Sequence, residues 1–499
     1  MTQTATLVLF QVLSRTLKSL GNDGSWIINP SPEACAFAIL ALQNLSSLPF
    51  LGELTSRVKT AIITSRSHLR QVTKKTTNDV SNGGNSTTIA FDAYLKAALT
   101  DQFDDQNGNV RNNPKLDNEN YKGLLKFTSF FSKLKCVQNI ESWKIYGSIV
   151  EGFLFLPMLK SRRIDMFDRN GLKDDGYVEF ITSTLTVANN LQPFKVNNEV
   201  LFELMVLTLR AYQIDEYVEH VIAKTFSSNT EVKKVICSLS KKNHSLTSLL
   251  CSDEDGENLD SMERTSSNPR KPQATGKTSP VGDPEKLSEI RAKLQAFSDS
   301  ILSHPSVRSA NPYDQNLLKT ELRDYLLAHI TQIEDSERYY RDGTLPYGSY
   351  HTWVRTTGQT HVFVTFSLAY LQCLIQADDS NHEVSDERRY LVHEIWMHLA
   401  KKVRMENDAP SLKRDRIERN LNSLDFPEFF DGKDDDSVHA KEQIARIISY
   451  EKRRCDMALQ ELESLVGESD RTLEVLKFYY FLTDVCGEVY ALRDISAEA

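Results

Sequence analysis

The chain has 499 residues, a net charge of −9, 40% hydrophobic and 25% charged residues. That acidic balance leaves no basic footprint for nucleic acid, and the length allows two or three average domains or one large helical domain with insertions. Seven scattered cysteines (Cys35, Cys136, Cys237, Cys251, Cys373, Cys455, Cys486) form no CxxC and no pairing framework, so reduced thiols in a cytoplasmic protein are expected.

Residues 5–20 and 32–49 have amphipathic helical spacing. The N-terminal stretch lacks a basic leader, so a helix rather than a signal peptide is expected. No run approaches ~18 uncharged apolar residues, so no membrane span is expected. Between the two helices lies a turn-rich loop with Asp23, Gly24, Ser25 and Trp26, and Pro32 with Glu33 marks a helix start. Residues 72–120 are rich in Asn, Asp, Thr and Gly, which predicts a surface loop or partly disordered insertion with a helical island near 89–99. Helical spacing resumes at 121–135 and 141–160. Asp174 and Asp175 then sit in a turn before a helix starting near Tyr177, with Glu179 in its first turn, where carboxylates favour the helix dipole and capping.

Residues 198–219 form one long apolar helix, with Phe202, Met205, Val206, Leu209 and Tyr212 at helical spacing. It ends in Asp215, Glu216 and Glu219. Asp215 and Glu219 leave one face a turn apart, so either water solvates this self-repelling tip or a cation sits in it. Residues 241–288 are Ser-, Pro-, Lys- and Asp-rich and predict a disordered linker. Further helices are expected at 286–304, 314–334, 359–376, 386–405, 411–423, 436–467 and 470–493. No sustained period-2 alternation occurs, so the expected fold class is all-α.

Two later stretches offer partners for the acidic tip. In 347–372, Arg355 precedes Thr356, Thr357 and Gly358. A glycine break there would let Arg355 act as a fork for diphosphate oxygens. In 431–454, Asp434 and Glu442 lie two helical turns apart with Lys441 beside them, although Asp at a helix start is also plain capping.

An acidic apolar helix, an arginine at a helix break and a second acidic helix resemble the parts of class I terpene cyclases. That family's DDxxD/DExxE motif is matched by Asp215-Glu216-Tyr217-Val218-Glu219. Its NDxxSxxxE motif, with a fungal KEQ ending, is approximated by Asp434, Asp435, Val438, Lys441, Glu442 and Gln443, with Val438 standing where the family has Ser or Thr. Its diphosphate-sensing arginine pattern is approximated by Tyr350 to Gly358, with Arg355 as the arginine. Asp215 and Arg355 are 140 residues apart, 92 once the polar linker is removed. A C-terminal Arg-Tyr pair has only Tyr490 and Arg493 as a weak substitute. Near the N-terminus, the 23–42 segment resembles a repeat of class II cyclases, but the acidic DxDD motif that class II chemistry needs is missing.

The resemblance is nearest to the divergent fungal sesquiterpene cyclases that include humulene and trichobrasilenol synthases. It implies an N-terminal helical extension over 1–135 and a cyclase core over 136–240 and 289–499, with 241–288 as the inserted linker. It further implies a farnesyl diphosphate cyclase favouring 1,11 closure, with about three Mg²⁺ held by Asp215, Glu219, Asp434 and Glu442. Arg355 and Lys441 would neutralise the departing diphosphate. Phe202, Tyr212, Trp353 and Phe363, and further Phe366 and Trp396, would face the allylic cation. The expected partner is a small prenyl diphosphate, with no nucleic acid and no membrane span; both monomer and homodimer fit. A chain-elongating prenyl synthase, a diphosphate-binding cyclase without turnover and a non-catalytic helical scaffold are the alternatives.

Overall fold

The computed structural model describes residues 3–26, 31–46, 48, 51–79, 87–100, 118–162, 176–222, 230–239, 284–376, 384–429 and 437–492. Apart from an isolated bridge between Leu20 and Trp26, no β-structure occurs among them. The chain divides into two units. The first holds residues 1–162, 174–205 and 477–499, the second 163–173 and 206–476. The division therefore falls inside two helices rather than at residue 135.

The first unit is built from α1 (Gln3–Lys18), α2 (Pro32–Leu45), α3 (Leu54–Asp79), α4 (Thr87–Leu99), α5 (Asn118–Phe131), α6 (Ser142–Ser161) and α7 (Gly176–Asn190). It also holds the start of α8 (Asn198–Tyr217). The loop before α2 turns because Gly24 adopts φ +84 and the Asp23 carboxylate accepts from the Ser25 amide and hydroxyl, which buries Trp26. Ser31 caps α2 through the Ala34 amide, with Pro32 in the first turn as its spacing predicts. α3 runs on to Asp79, so the start of the 72–120 stretch is helix rather than loop. α6 and α7 pack closely because Gly152 leaves room: a Cβ there would lie 3.0 Å from the Ser183 Cα. A buried polar cluster ties α1, α6 and α7 together, with Gln11 and Asn190 both donating to the Glu151 carboxylate at 2.7 and 2.6 Å.

The second unit takes the rest of α8, then α9 (Thr230–Leu239), α10 (Pro284–Leu302), α11 (Pro312–Asp342) and α12 (Val364–Gln376). After these come α13 (Asp386–Glu418), α14 (Ser437–Val466) and the start of α15 (Arg471–Leu492). Residues 284–288, expected as linker, begin α10. α13 corrects the expectation of two helices at 386–405 and 411–423. It passes straight through Pro410, because a long buried face holds both halves together. That face includes Met405, Asp408, Ser411, Leu412 and Asp415. α13 and α14 lie along one another, joined by the buried Glu451, which accepts from His398 at 2.5 Å and Lys401 at 2.7 Å. Conversely, the helix expected over 359–376 breaks at Val362, whose backbone is extended. No helix among the described residues is long and apolar enough to cross a membrane.

Candidate active site

α8 does not stop at Tyr217. It widens into a π-turn, Val218–Ile222, that carries Glu219. A second π-turn, Val354–Gly358, carries Arg355. Widened turns of this kind are uncommon and concentrate at functional sites. α11 packs against both, and α13 packs against the second. The two stretches singled out by sequence thus share one neighbour.

α11 grips Asp215 directly. The Tyr325 hydroxyl donates to Asp215 Oδ1, and His329 Nε2 lies 2.9 Å from the same oxygen. His329 Nδ1 lies 2.9 Å from the Tyr325 carbonyl. With an oxygen acceptor at each nitrogen, the ring donates from both and is an imidazolium. Burial pulls the His329 pKa down, the Asp215 charge and hydrogen bond push it up, and the balance lies above the ordinary histidine value.

The chain of contacts continues inward. His361 stacks on His329 with ring centroids 4.1 Å apart. Its Nδ1 accepts from Arg404 Nη1 at 3.0 Å, so His361 is neutral, and burial, His329 and Arg404 all hold its pKa well below the usual value. Arg404 Nε donates to Asp408 at 2.9 Å, and Asp408 also accepts from the Ser423 amide at 2.9 Å and hydroxyl at 2.5 Å. One line of side chains therefore runs from Asp215 at the tip of α8 to Asp408 inside α13.

Glu219 is built differently. Its own surface is open to solvent, yet protein surrounds it, as in a recess. That surrounding and the Asp215 charge push it up to about 7, with His329 opposing and Glu418 and Glu216 adding. Glu418 lies in the last turn of α13. The acidic tip of α8 therefore lies within electrostatic reach of the C-terminal end of α13.

α13 also carries residues that sequence reading passed over. Asn407-Asp408-Ala409-Pro410-Ser411-Leu412-Lys413-Arg414-Asp415 follows the NDxxSxxx-acid pattern sought at 434–442, with Asp as the last member. Asn407, Ser411 and Asp415 recur every four residues on one helix face. The Ser411 hydroxyl donates to Asp415 at 2.6 Å, and Asn422 Nδ2 donates to the same oxygen at 2.7 Å. The signal was present, but the expected helices at 386–405 and 411–423 split the stretch, with Pro410 between them.

The remaining expected residues scatter. Asp434 and the Asp174–Asp175 pair lie outside the described residues, as does Arg493. Lys441 and Glu442 are both exposed in the first turns of α14, and Val438 is 65% exposed. Arg355 is exposed on its π-turn, where its carbonyl accepts from Gln359 Nε2. Gly358 is not a break: it has ordinary helical φ and is small because a Cβ would lie 3.3 Å from the Trp353 ring. Trp353 is not a cavity wall. It is 0% exposed, 4.9 Å under the Arg404 guanidinium and 5.0 Å from Phe426 in a core cluster. Phe202 stacks on Phe155 within the first unit. Tyr212 is half-buried, and so is Phe363, whose ring meets Phe366 edge-on at 5.8 Å beside Tyr325. Trp396 is core, 3% exposed, with His393 5.1 Å away.

Among the described residues, no three His, Cys, Asp or Glu side chains converge closely enough to hold an ion unaided. The donor chemistry still fits Mg²⁺, which takes hard oxygens, keeps several waters and is commonly held by one or two carboxylates plus substrate phosphates. Asp215, Glu219 and the Asn407, Ser411 and Asp415 oxygens supply donors of that kind.

No family model matches the chain. It is 30% identical, over 97% of its length, to the pimaradiene synthase of Emericella nidulans, and spans 51% of that protein. It is 27% identical to the ent-kaur-16-ene synthase of Fusarium fujikuroi (98% of this chain, 52% of that one). To the phyllocladan-16-alpha-ol synthase of Phomopsis amygdali it is 26% identical (99% and 52%). The chain thus spans about half the length of the curated relatives it matches. A solved cucumene synthase variant aligns loosely, at TM-score 0.42 and 13% identity, over 69% of this chain and 92% of its own. The relatives are fungal diterpene cyclases, so the kinship lies with terpene cyclases but not with the humulene group expected from sequence.

Proposed function

We propose that this chain is a Mg²⁺-dependent terpene cyclase module that ionises a C20 allylic diphosphate, linear or already partly cyclised, and closes the resulting cation. The C20 substrate replaces the farnesyl diphosphate and humulene-type closure expected from sequence, because the relatives are diterpene cyclases. The observation that carries the reading is the placing of Asp215, held by Tyr325 and His329, and of Glu219 at the end of α8, within electrostatic reach of Glu418 one turn beyond Asp415. Asp215 and Glu219 form the first metal-binding set. Asn407, Ser411 and Asp415 take the place assigned to Asp434 and Glu442, which leaves Lys441 and Glu442 as solvated surface.

Bound Mg²⁺ would supply the positive charge that makes diphosphate a good leaving group. The protein does the rest. Tyr325 and His329 hold Asp215 in one orientation, so its free oxygen is aimed before substrate arrives. Arg355 adds an exposed guanidinium whose planar fork matches phosphate oxygens. Phe363, with Phe366 and Tyr325 packed behind it, offers an aromatic face to developing positive charge.

The test is incubation with geranylgeranyl, bicyclic C20 and farnesyl diphosphates plus Mg²⁺, with hydrocarbon products read by gas chromatography–mass spectrometry. A C20 hydrocarbon or alcohol that disappears on chelation supports the reading. Absence of product from every diphosphate overturns it. Product from farnesyl diphosphate alone restores the C15 assignment.

A further inference from the structure

We infer that His329, with Tyr325, is a positioning device that presets Asp215 for a divalent cation, and that His361 and Arg404 fix His329 in that role. The inference rests on the proposed function and adds residues that no acidic motif contains. It begins from an asymmetry in the first carboxylate pair. Among the described residues no donor hydrogen-bonds to Glu219, whereas Asp215 Oδ1 faces two donors from α11. A carboxylate with one oxygen held by a phenol and an imidazolium has a fixed plane, so its other oxygen points one way. Ligands of metals are commonly oriented by such outer partners, and losing one typically weakens metal binding by 10–100-fold.

The imidazolium is itself held from two further sides. The Tyr325 carbonyl takes the Nδ1 proton at 2.9 Å, fixing the ring's rotation. His361 covers its face at 4.1 Å. Arg404 then pins His361 through Nδ1 at 3.0 Å, while Arg404 is anchored by Asp408 and by the Leu421 carbonyl at 3.2 Å. Each residue in this line has its partner set by the next. Asp408 neighbours Asn407, the first member of the second donor set. The line therefore ties the geometry of the first carboxylate to the helix that carries the second donors. His329 touches neither substrate nor metal in this arrangement; it acts through Asp215.

The decisive measurement is thermal stabilisation by MgCl₂ with inorganic diphosphate, which reads binding without turnover. In His329→Leu the Mg²⁺ concentration giving half the maximal shift should rise by about 10–100-fold. Tyr325→Phe should raise it by about tenfold. His329→Gln, which keeps a donor near Asp215, should recover much of the loss. In turnover, raising Mg²⁺ should restore kcat in the Tyr325→Phe variant, which a merely structural defect would not allow. Tyr325→Phe removes only a hydroxyl, so it decides the matter if His329→Leu fails to fold. A wild-type response shared unchanged by Tyr325→Phe and His329→Leu, or by Tyr325→Phe alone if the other is unfolded, overturns the inference and leaves the proposed function standing. No response from wild-type protein overturns the proposed function, and this inference with it.

Discussion

The acidic tip of α8 and the acidic end of α13 solve the same electrostatic problem in opposite ways. At the tip of α8, carboxylates sit beside one another: Asp215 Oδ1 is held by Tyr325 and His329, and Glu219 is pushed up to about 7. Within α13, Asp408 and Asp415 are buried and saturated: Asp408 by Arg404 and Ser423, Asp415 by Ser411 and Asn422. A saturated carboxylate is a structural part first, because removing its partner leaves a charge stranded in the protein. An unsaturated one stores repulsion that a cation can relieve. The first end is thus poised for a ligand, while the second needs rearrangement of its own hydrogen bonds before Asp415 can reach one.

Breaking the first end should therefore cost activity far more than stability. Asp215→Ala is expected to lower product formation on the order of 10³-fold or more, the scale for a central electrostatic group. Its unfolding midpoint in urea should fall less than that of Arg404→Leu, because His329 can shed its proton once Asp215 is gone. A marked loss of stability would mean that Asp215 is a structural ion-pair partner of His329 rather than a poised ligand. Breaking the second end should do the reverse. Arg404→Leu strands Asp408 and is expected to destabilise the protein by about 3–5 kcal/mol, read by urea unfolding. If stability hardly changes, the line from His329 to α13 holds nothing together.

The comparison sharpens further between two candidates for the second metal set. Asp415→Asn should reduce turnover by about 10²-fold, the lower scale for one electrostatic contact. Glu442→Gln, on exposed α14, should leave turnover unaltered and stability within about 0.5 kcal/mol. Opposite outcomes would return the second set to the start of α14.

Much of this was legible in the sequence, and the gaps have physical causes. The all-α class, the α2 start at Pro32 and the apolar run into Asp215 follow from periodicity and capping. Arg355 was found because threonine and glycine flank it, although the reason given was wrong: Gly358 makes room for Trp353 and does not break the helix. Asn407 to Asp415 falls across the gap between the expected helices 386–405 and 411–423, whereas buried packing on both sides of Pro410 holds one continuous helix there. His329 gave no signal at all. A lone histidine on an apolar helix looks like core, and its hydrogen-bonding partner Asp215 is more than a hundred residues away, since neighbouring Tyr325 is 110 residues from it. Only the folded chain brings these residues to one oxygen.

Glu219 offers the finest test of the difference between the two ends. Its folded value of about 7 lies above the ordinary 4.5, so the folded protein keeps that proton longer than the unfolded chain does. The resulting stability is fully present below the ordinary value and is lost as pH rises through about 7. Metal-free protein should therefore melt at a lower temperature at about pH 8 than at about pH 6, and Glu219→Gln should shrink that difference. Asp215, Glu216, Glu418 and His329 all face the group, so part of the slope will survive the substitution. Mg²⁺ with diphosphate should invert the trend, because a cation favours the ionised carboxyl: the stabilisation it confers should grow with pH in wild type and stay nearly flat in Glu219→Gln. A Glu219→Gln protein whose metal-induced shift keeps the full wild-type dependence on pH would place the titrating carboxyl elsewhere, and Glu418, at the opposing helix end, would be the next to substitute.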